Sequence, residues 1–411
     1  MRVLISAYAC EPGKGSEPAV GWNWVQQVSR WHEVWVITRR NNRAQIEAAD
    51  PPLSAHWVYF DLPGWARFWK RDQRGVHVYY TLWQLGAYWV GRKLHRRVGF
   101  DLIHHVTLVN YWMPSLLALL PAPFVWGPVG GGESAPPAFR REFSFQGKVY
   151  ETMRDLARHL GQFNPFVRMT AKRAGVGIAT TEETACRLRD LGCREVRVLS
   201  QVGLPTAEIA RLGSLPARQD TAFRVVSVGH LLHWKGFELG LRAFARFHTY
   251  HPQSEYWIVG AGPERARLDQ VARRLGVSRS VTFWGALPRE QVLEKLGQTD
   301  LLLHPSLHDS GGWVCLEAMA ARHPVICLDL GGPALQVTPG TGIKLPAISP
   351  EQVVSDLTAA MLRLAQDAHI REQIGEASRL RVENHFDWTH KGELMQQIYQ
   401  STASRTGGLA C

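Results

Sequence analysis

Two doubly wound α/β domains are expected from this chain, and three observations predict them. Short apolar runs alternate with helical patterns along most of its length, the mark of parallel strands joined by crossover helices. A length of 411 residues suffices for two or three domains with large cores. The stretch Gly203 to Thr221 lacks sustained periodicity and carries two prolines, and a fresh apolar run starts at Arg224. The expected division is 1–202 for a first domain, 203–222 for a linker, 223–384 for a second domain, 385–402 for a last helix and 403–411 for a tail.

Composition narrows the class. With 45% hydrophobic and 20% charged residues the chain reads as an ordinary soluble enzyme. Lys and Arg outnumber Asp and Glu by 47 to 36, a net +11 that favours an anionic partner: nucleotide, nucleic acid or lipid headgroup. The six cysteines show no metal-ligand or CxxC spacing and are read as reduced thiols of a cytoplasmic protein. The opening MRVLISAYACEPG has an apolar run too short for a signal peptide, and no window of about 20 apolar residues is present to span a membrane. Neither an internal repeat nor a low-complexity run is found.

The first domain opens as a βαβ unit: an apolar run Val3 to Ala9, a loop, a helical pattern through Trp31, and a second run Val34 to Thr38. Ligands of such sheets bind beyond the carboxyl ends of the strands, which puts the loop Glu11 to Trp22 at a ligand position or makes it a plain connection. Gly13 and Gly15 supply a tight turn there, and Ser16 is expected to cap the helix. Further on, Leu62 to Arg97 interleaves eight aromatic with eight basic residues. That pattern suits a membrane interface, a nucleic-acid groove, or a helix from about His77 to Val98 packing its rings on the sheet. The part from Trp65 to Arg71 is too polar for a core and is expected to be interfacial.

A strand Asp101 to His105 ends in two histidines whose directions must alternate, so His104 and His105 cannot both point the same way. Gly130 to Gly132 imply close approach of the backbone to a ligand or a neighbouring chain, or else a hinge, and Glu133 follows them. An amphipathic region then runs from Phe143 to Ala174, followed by a strand, a helix over Glu182 to Leu191 and a strand Val196 to Leu199.

The second domain carries the chemistry. From Leu301 to Leu328 the pattern is strand, loop, helix, strand, with Asp309 in the loop, Glu317 in the helix, and Gly311 and Gly312 at the helix start. Unpaired amides of a first helical turn, approached closely at glycine, make an anion site, and the two carboxylates stand ready to accept bonds from sugar hydroxyls. Upstream, Gly229 permits a turn, and Lys235 with Gly236 begins the next helix, where a lysine suits phosphate. Three amphipathic segments, 350–366, 370–384 and 389–400, end the chain.

With seven residues between Asp309 and Glu317, and with Lys235 and Gly236 upstream, the chain resembles the retaining glycosyltransferases of family four. Their signature is usually Glu and Glu at that spacing; here Asp comes first, and Ser310 and Gly311 stand where Gly and an aromatic are common. The resemblance covers nearly the whole chain and implies the GT-B fold, two facing Rossmann-like domains with an interdomain cleft and a last helix crossing back to the first. It implies a hexosyltransferase-like enzyme taking a nucleotide-diphosphate sugar, without cofactor or metal, since no Asp-x-Asp motif sits at a strand end. Front-face transfer, in which the leaving phosphate helps deprotonate the acceptor, goes with it.

Residue by residue, the resemblance places Lys235 on the donor diphosphate together with His230, which occupies a position usually held by Arg. It places Asp309 on the sugar hydroxyls, Glu317 on the ribose, Trp284 against the base, and Ser310, Gly311, Gly312 and Gly15 along the donor. A histidine at the end of the strand Asp101 to His105, His104 or His105, would contact the transferred sugar, and Glu17 and Glu133 would face the acceptor. Leu335 stands where the family often has Glu. The expected acceptor is a glycan, a lipid-linked or polysaccharide precursor of the cell envelope, or a small molecule, and the expected location is cytoplasmic with peripheral contact at an anionic inner membrane face. The rivals are another GT-B activity, phosphorylase or sugar-nucleotide epimerase, and a basic nucleic-acid-binding protein. Against the last, the basic residues are scattered and no nucleic-acid motif is present.

Overall fold

The computed structural model describes residues 1–64, 75–215 and 222–407. Its first sheet has seven parallel strands: β1 (Arg2–Ser6), β2 (Glu33–Thr38), β3 (His56–Tyr59), β4 (Leu102–His105), β5 (Phe124–Val129), β6 (Val176–Ala179) and β7 (Val196–Val198), ordered β3-β2-β1-β4-β5-β6-β7. The second has six: β8 (Arg224–Val228), β9 (Glu255–Val259), β10 (Val281–Gly285), β11 (Leu301–His304), β12 (Val325–Leu328) and β13 (Ile343–Leu345), ordered β10-β9-β8-β11-β12-β13. Strand order reverses beside β1 and again beside β8, the places where doubly wound sheets bind ligands. Central strands such as β4, β5, β11 and β12 are buried along their whole length. Helices cover both faces of such sheets, which is why the strands read as unbroken apolar runs instead of alternating ones.

Two compact units result. One comprises Met1–Gly132, Arg154–Gln201 and Lys391–Cys411; the other comprises Glu133–Met153 and Val202–His390. Glu133, expected with the first domain, therefore groups with the second. The last helix, Trp388–Gly407, joins the first unit from Lys391 onward. That helix also takes in the beginning of the expected tail, running to Gly407 beyond the buried Thr402. The expected linker contains a helix, Thr206–Gly213, whose Ile209 and Leu212 sink into the same apolar cluster as Val226, Leu316 and Val382. Burying each such side chain contributes about 1.5–3 kcal/mol, enough to order a segment too short to show periodicity. Of the predicted interfacial stretch, Trp65 to Arg71 lie outside the described residues.

The helix Val76–Val98 buries Tyr79, Tyr80, Trp83 and Ala87 and exposes Val78, Leu82, Leu85 and Trp89. The long amphipathic region is two helices, Phe145–Phe163 and Pro165–Arg173, broken where Asn164 caps the second through Phe166 N at 2.9 Å.

Candidate functional site

In the second unit, the turn after β8 and the loop after β11 meet at the strand-order reversal. Lys235 Nζ donates to Asp309 Oδ2, and His304 Nε2 lies 3.3 Å from the same oxygen. Asp309 Oδ1 accepts from Gly311 N at 3.1 Å and from Gly312 N at 3.2 Å. The amides predicted to form an anion site thus do hold an anion, the chain's own carboxylate. Burial opposes ionisation of Asp309, but Lys235 and His304 outweigh it and hold the carboxyl well below the usual range. Burial pushes the His304 imidazole down, Asp309 acting against that.

Two glycines make this close packing possible. Gly236 has φ 68°, and a Cβ there would lie 1.9 Å from the Pro305 carbonyl oxygen. Gly331 has φ 61°, and a Cβ there would lie 2.3 Å from the Asp309 carbonyl oxygen, which accepts from Gly332 N at 2.7 Å. Gly236→Ala is expected to cost about 2–3 kcal/mol, strain and clash adding, seen as a lower denaturation midpoint with an unchanged slope.

Glu317 is buried on the helix Trp313–Ala320, and Arg289 Nη2 donates to its Oε1 at 2.6 Å. The same nitrogen is 2.5 Å from Glu208 Oε1. Burial raises the Glu317 carboxyl, and Arg289 works against that rise. Arg289 and Glu208 were not foreseen, although Arg289 lies five residues beyond Trp284, the residue expected against the base. Trp284 packs edge-on against Trp257 at 5.4 Å with Lys295 Nζ 3.9 Å over its ring. His230 is exposed. The Leu335 carbonyl accepts from Arg381 Nη2 at 2.9 Å, and its neighbour Gln336 donates to the Gly311 carbonyl at 2.5 Å. Gln336, also without a sequence signal, therefore braces the glycine turn.

The first unit holds the other expected residues. Ser16 sits at the helix start but makes no side-chain cap bond, because its backbone is at φ 61°, ψ −146° instead of the extended shape that aims a hydroxyl at the helix amides; this corrects the expectation. Gly15 lies in open space. Glu17 Oε2 accepts from Leu108 N at 3.1 Å, tying the first helix to the loop after β4. Burial raises its carboxyl, and the Leu108 bond opposes the rise.

His104 and His105 point to opposite sides, as strand geometry requires. His104 contacts the Tyr399 hydroxyl at 2.6 Å and the Gly127 carbonyl, while His105 Nε2 meets the Tyr80 hydroxyl at 2.8 Å and Gln84 Nε2 at 3.0 Å. Burial pushes His104 down to about 4, and burial with the neighbouring His104 pushes His105 down to about 3, so both are neutral at pH 7. Gly131 and Gly132 make their close approach to protein: a Cβ would lie 2.3 Å from Trp112 and 2.4 Å from Thr184 respectively. Among the described residues no group of three or more His, Cys, Asp or Glu is arranged to hold a metal, and no helix is long and apolar enough to cross a membrane.

Residues 216–381, which contain Lys235, Asp309 and Glu317, match the sequence family described as glycosyl transferases group 1. A D-inositol 3-phosphate glycosyltransferase of Corynebacterium jeikeium is 31% identical over 181 residues, 42% of this chain and 42% of that protein. The chain thus spans less than half of that relative's length. Sucrose-phosphate synthase of Thermosynechococcus elongatus superposes with a TM-score of 0.66 at 18% identity, over 98% of this chain and 99% of that one. HepE of Anabaena, solved with UDP and glucose, superposes with a TM-score of 0.62 at 16% identity, over 98% and 100%. At these identities the likeness establishes the fold, two Rossmann-like domains of the GT-B type. Within the matched residues, Asp309 and Glu317 are each already bound to a cation of their own unit.

Proposed function

We propose that the chain is a retaining glycosyltransferase that moves a sugar from a nucleoside-diphosphate sugar to an acceptor hydroxyl without a metal ion. The observation that carries this reading is the ion pair of Lys235 with Asp309, set on the Gly311 and Gly312 amides inside a group 1 domain. An incoming diphosphate competes with Asp309 for the Lys235 ammonium and the helix-start amides. The displaced carboxylate is then free to accept from a sugar hydroxyl. Glu317, steadied by Arg289 on one oxygen, offers the other to the ribose.

As the bond from the sugar's anomeric carbon to the diphosphate oxygen breaks, its electron pair leaves with the nucleoside diphosphate. Charge grows on that leaving group, where Lys235 and the amides stabilise it most. The acceptor oxygen bonds to the anomeric carbon on the face being vacated, and its proton passes to the leaving phosphate, which preserves the anomeric configuration.

The likeness to HepE, whose structure holds UDP and glucose, makes UDP-glucose the first donor to test. A panel of UDP-, GDP- and ADP-sugars, with release of nucleoside diphosphate followed and product configuration read by NMR, tests the reading. An inverted product would remove the front-face mechanism, and absence of any glycoside product would remove the transferase.

A membrane-proximal, lipid-linked acceptor belongs to the same proposal. The helix Val76–Val98 exposes Leu85 and Trp89, the latter 61% accessible, and ends in Arg92, Lys93, Arg96 and Arg97. The helix Phe145–Phe163 exposes Val149, Met153, Leu156, Leu160 and Phe163 along one stripe. Apolar stripes beside cations suit the headgroup layer of an anionic bilayer. Binding to anionic vesicles is expected at low salt, weakened several-fold by high salt and by Trp89→Ala with Phe163→Ala. Cosedimentation checks it, and no binding at low salt would leave a soluble acceptor.

A further inference from the structure

Glu151, on the helix Phe145–Phe163, is almost wholly buried, yet the proposed chemistry gives it no task. Its Oε1 lies 3.1 Å from His233 Nε2 and 3.1 Å from His308 Nε2. His233 opens the short turn that ends at Lys235, and His308 immediately precedes Asp309. Trp234 fills the space between, stacking on His308 at 4.9 Å and on Tyr150 at 5.0 Å, while its carbonyl accepts from Leu307 N at 2.8 Å. One carboxylate oxygen therefore joins the two loops that carry the ion pair. An apolar side chain would fill the same place without the cost of desolvating a charge, so packing alone does not account for a carboxylate there.

We propose that Glu151 is a positioning residue of the donor site: by holding His233 and His308 together it sets the separation of Lys235 from Asp309. The inference rests on the donor-site reading of those two residues. A carboxylate oxygen has the lone pairs to accept from both imidazoles, and so does the amide oxygen of glutamine. Alanine offers neither, so the loops keep the Leu307–Trp234 backbone bond but lose the tie that fixes His233 against His308.

The test compares Glu151→Gln, Glu151→Ala and His308→Phe in the full chain, the last keeping a ring against Trp234 but losing the nitrogen. With the donor chosen from UDP-glucose, GDP-mannose and ADP-glucose, Glu151→Gln is expected to keep kcat within about threefold of wild type. Glu151→Ala and His308→Phe are expected to lower kcat roughly 30-fold with donor KM within about threefold, because the misplaced pair matters most as charge develops. Circular dichroism confirms folding, and His308→Phe carries the test if Glu151→Ala does not fold. A second readout needs no activity. The Asp309 carboxyl, followed by carbon NMR, titrates well below the ordinary range in wild type and in Glu151→Gln, and moves up towards it in the other two. An unmoved Asp309 titration, or wild-type kcat in folded Glu151→Ala, overturns the proposal. Failure of wild type to use any donor ends the transferase reading, while the Asp309 titration still decides the clamp.

Discussion

Lys235→Met lowers turnover with the accepted nucleotide sugar by roughly 30- to 1,000-fold, the loss of one charged contact worth about 2–4 kcal/mol in the transition state. Methionine keeps most of the stem and removes the ammonium, so the fold is retained. The loss should fall on kcat more than on donor KM, since leaving-group charge is greatest as the glycosidic bond breaks. A second consequence can be measured without substrate. Asp309 keeps its two amide donors but loses its main cation, so its carboxyl rises towards the ordinary range. The sign follows from linkage: a depressed carboxyl stabilises the folded state above its unfolded pKa and gives that stability up as pH falls through the folded value. Wild type is therefore expected to lose this contribution only in strong acid, and the variant to show a smaller acid dependence. Turnover within threefold of wild type would remove Lys235 from the mechanism.

The second large effect is at Arg289. Its guanidinium opposes the burial-driven rise of the Glu317 carboxyl, and it serves Glu208 as well. Arg289→Ala leaves Glu317 without that counter-charge, which costs about 3 kcal/mol of stability for a carboxylate kept ionised, or protonates it instead. A protonated Glu317 can no longer accept from two hydroxyl partners, so turnover at pH 7 should fall about 100-fold. The pH sign distinguishes this from general damage. Loss of Arg289 removes the cation that opposes the burial-driven rise of the Glu317 carboxyl, so the residual activity should climb with rising pH more steeply than that of wild type. Glu317→Gln, neutral at every pH, should be as slow as the variant at pH 7 but show no climb. A pH-independent Arg289→Ala defect would mean that arginine acts through packing and not through the charge of Glu317.

Much of this was legible in the sequence for a definite reason. Strand and helix periodicities report the surroundings of one element at a time, and most strands of both sheets and the loop holding Asp309 announce themselves in that way, whereas β3, β13 and the helix Thr206–Gly213 do not. The glycines at 236, 311 and 312 and the spacing to Glu317 are local too, because a turn and the helix it opens are set by neighbours in the chain. What only the tertiary structure decided are partners brought together by strand order. Lys235 meets Asp309 across 74 residues, Glu317 meets Arg289 across 28, and Glu151 meets His308 across 157. No periodicity encodes such pairs, since each depends on which strands lie side by side. The two histidines of β4 show the same division. Alternation alone dictated that they face opposite ways, but only packing against Tyr399 and against Tyr80 with Gln84 decided that both are enclosed and neutral.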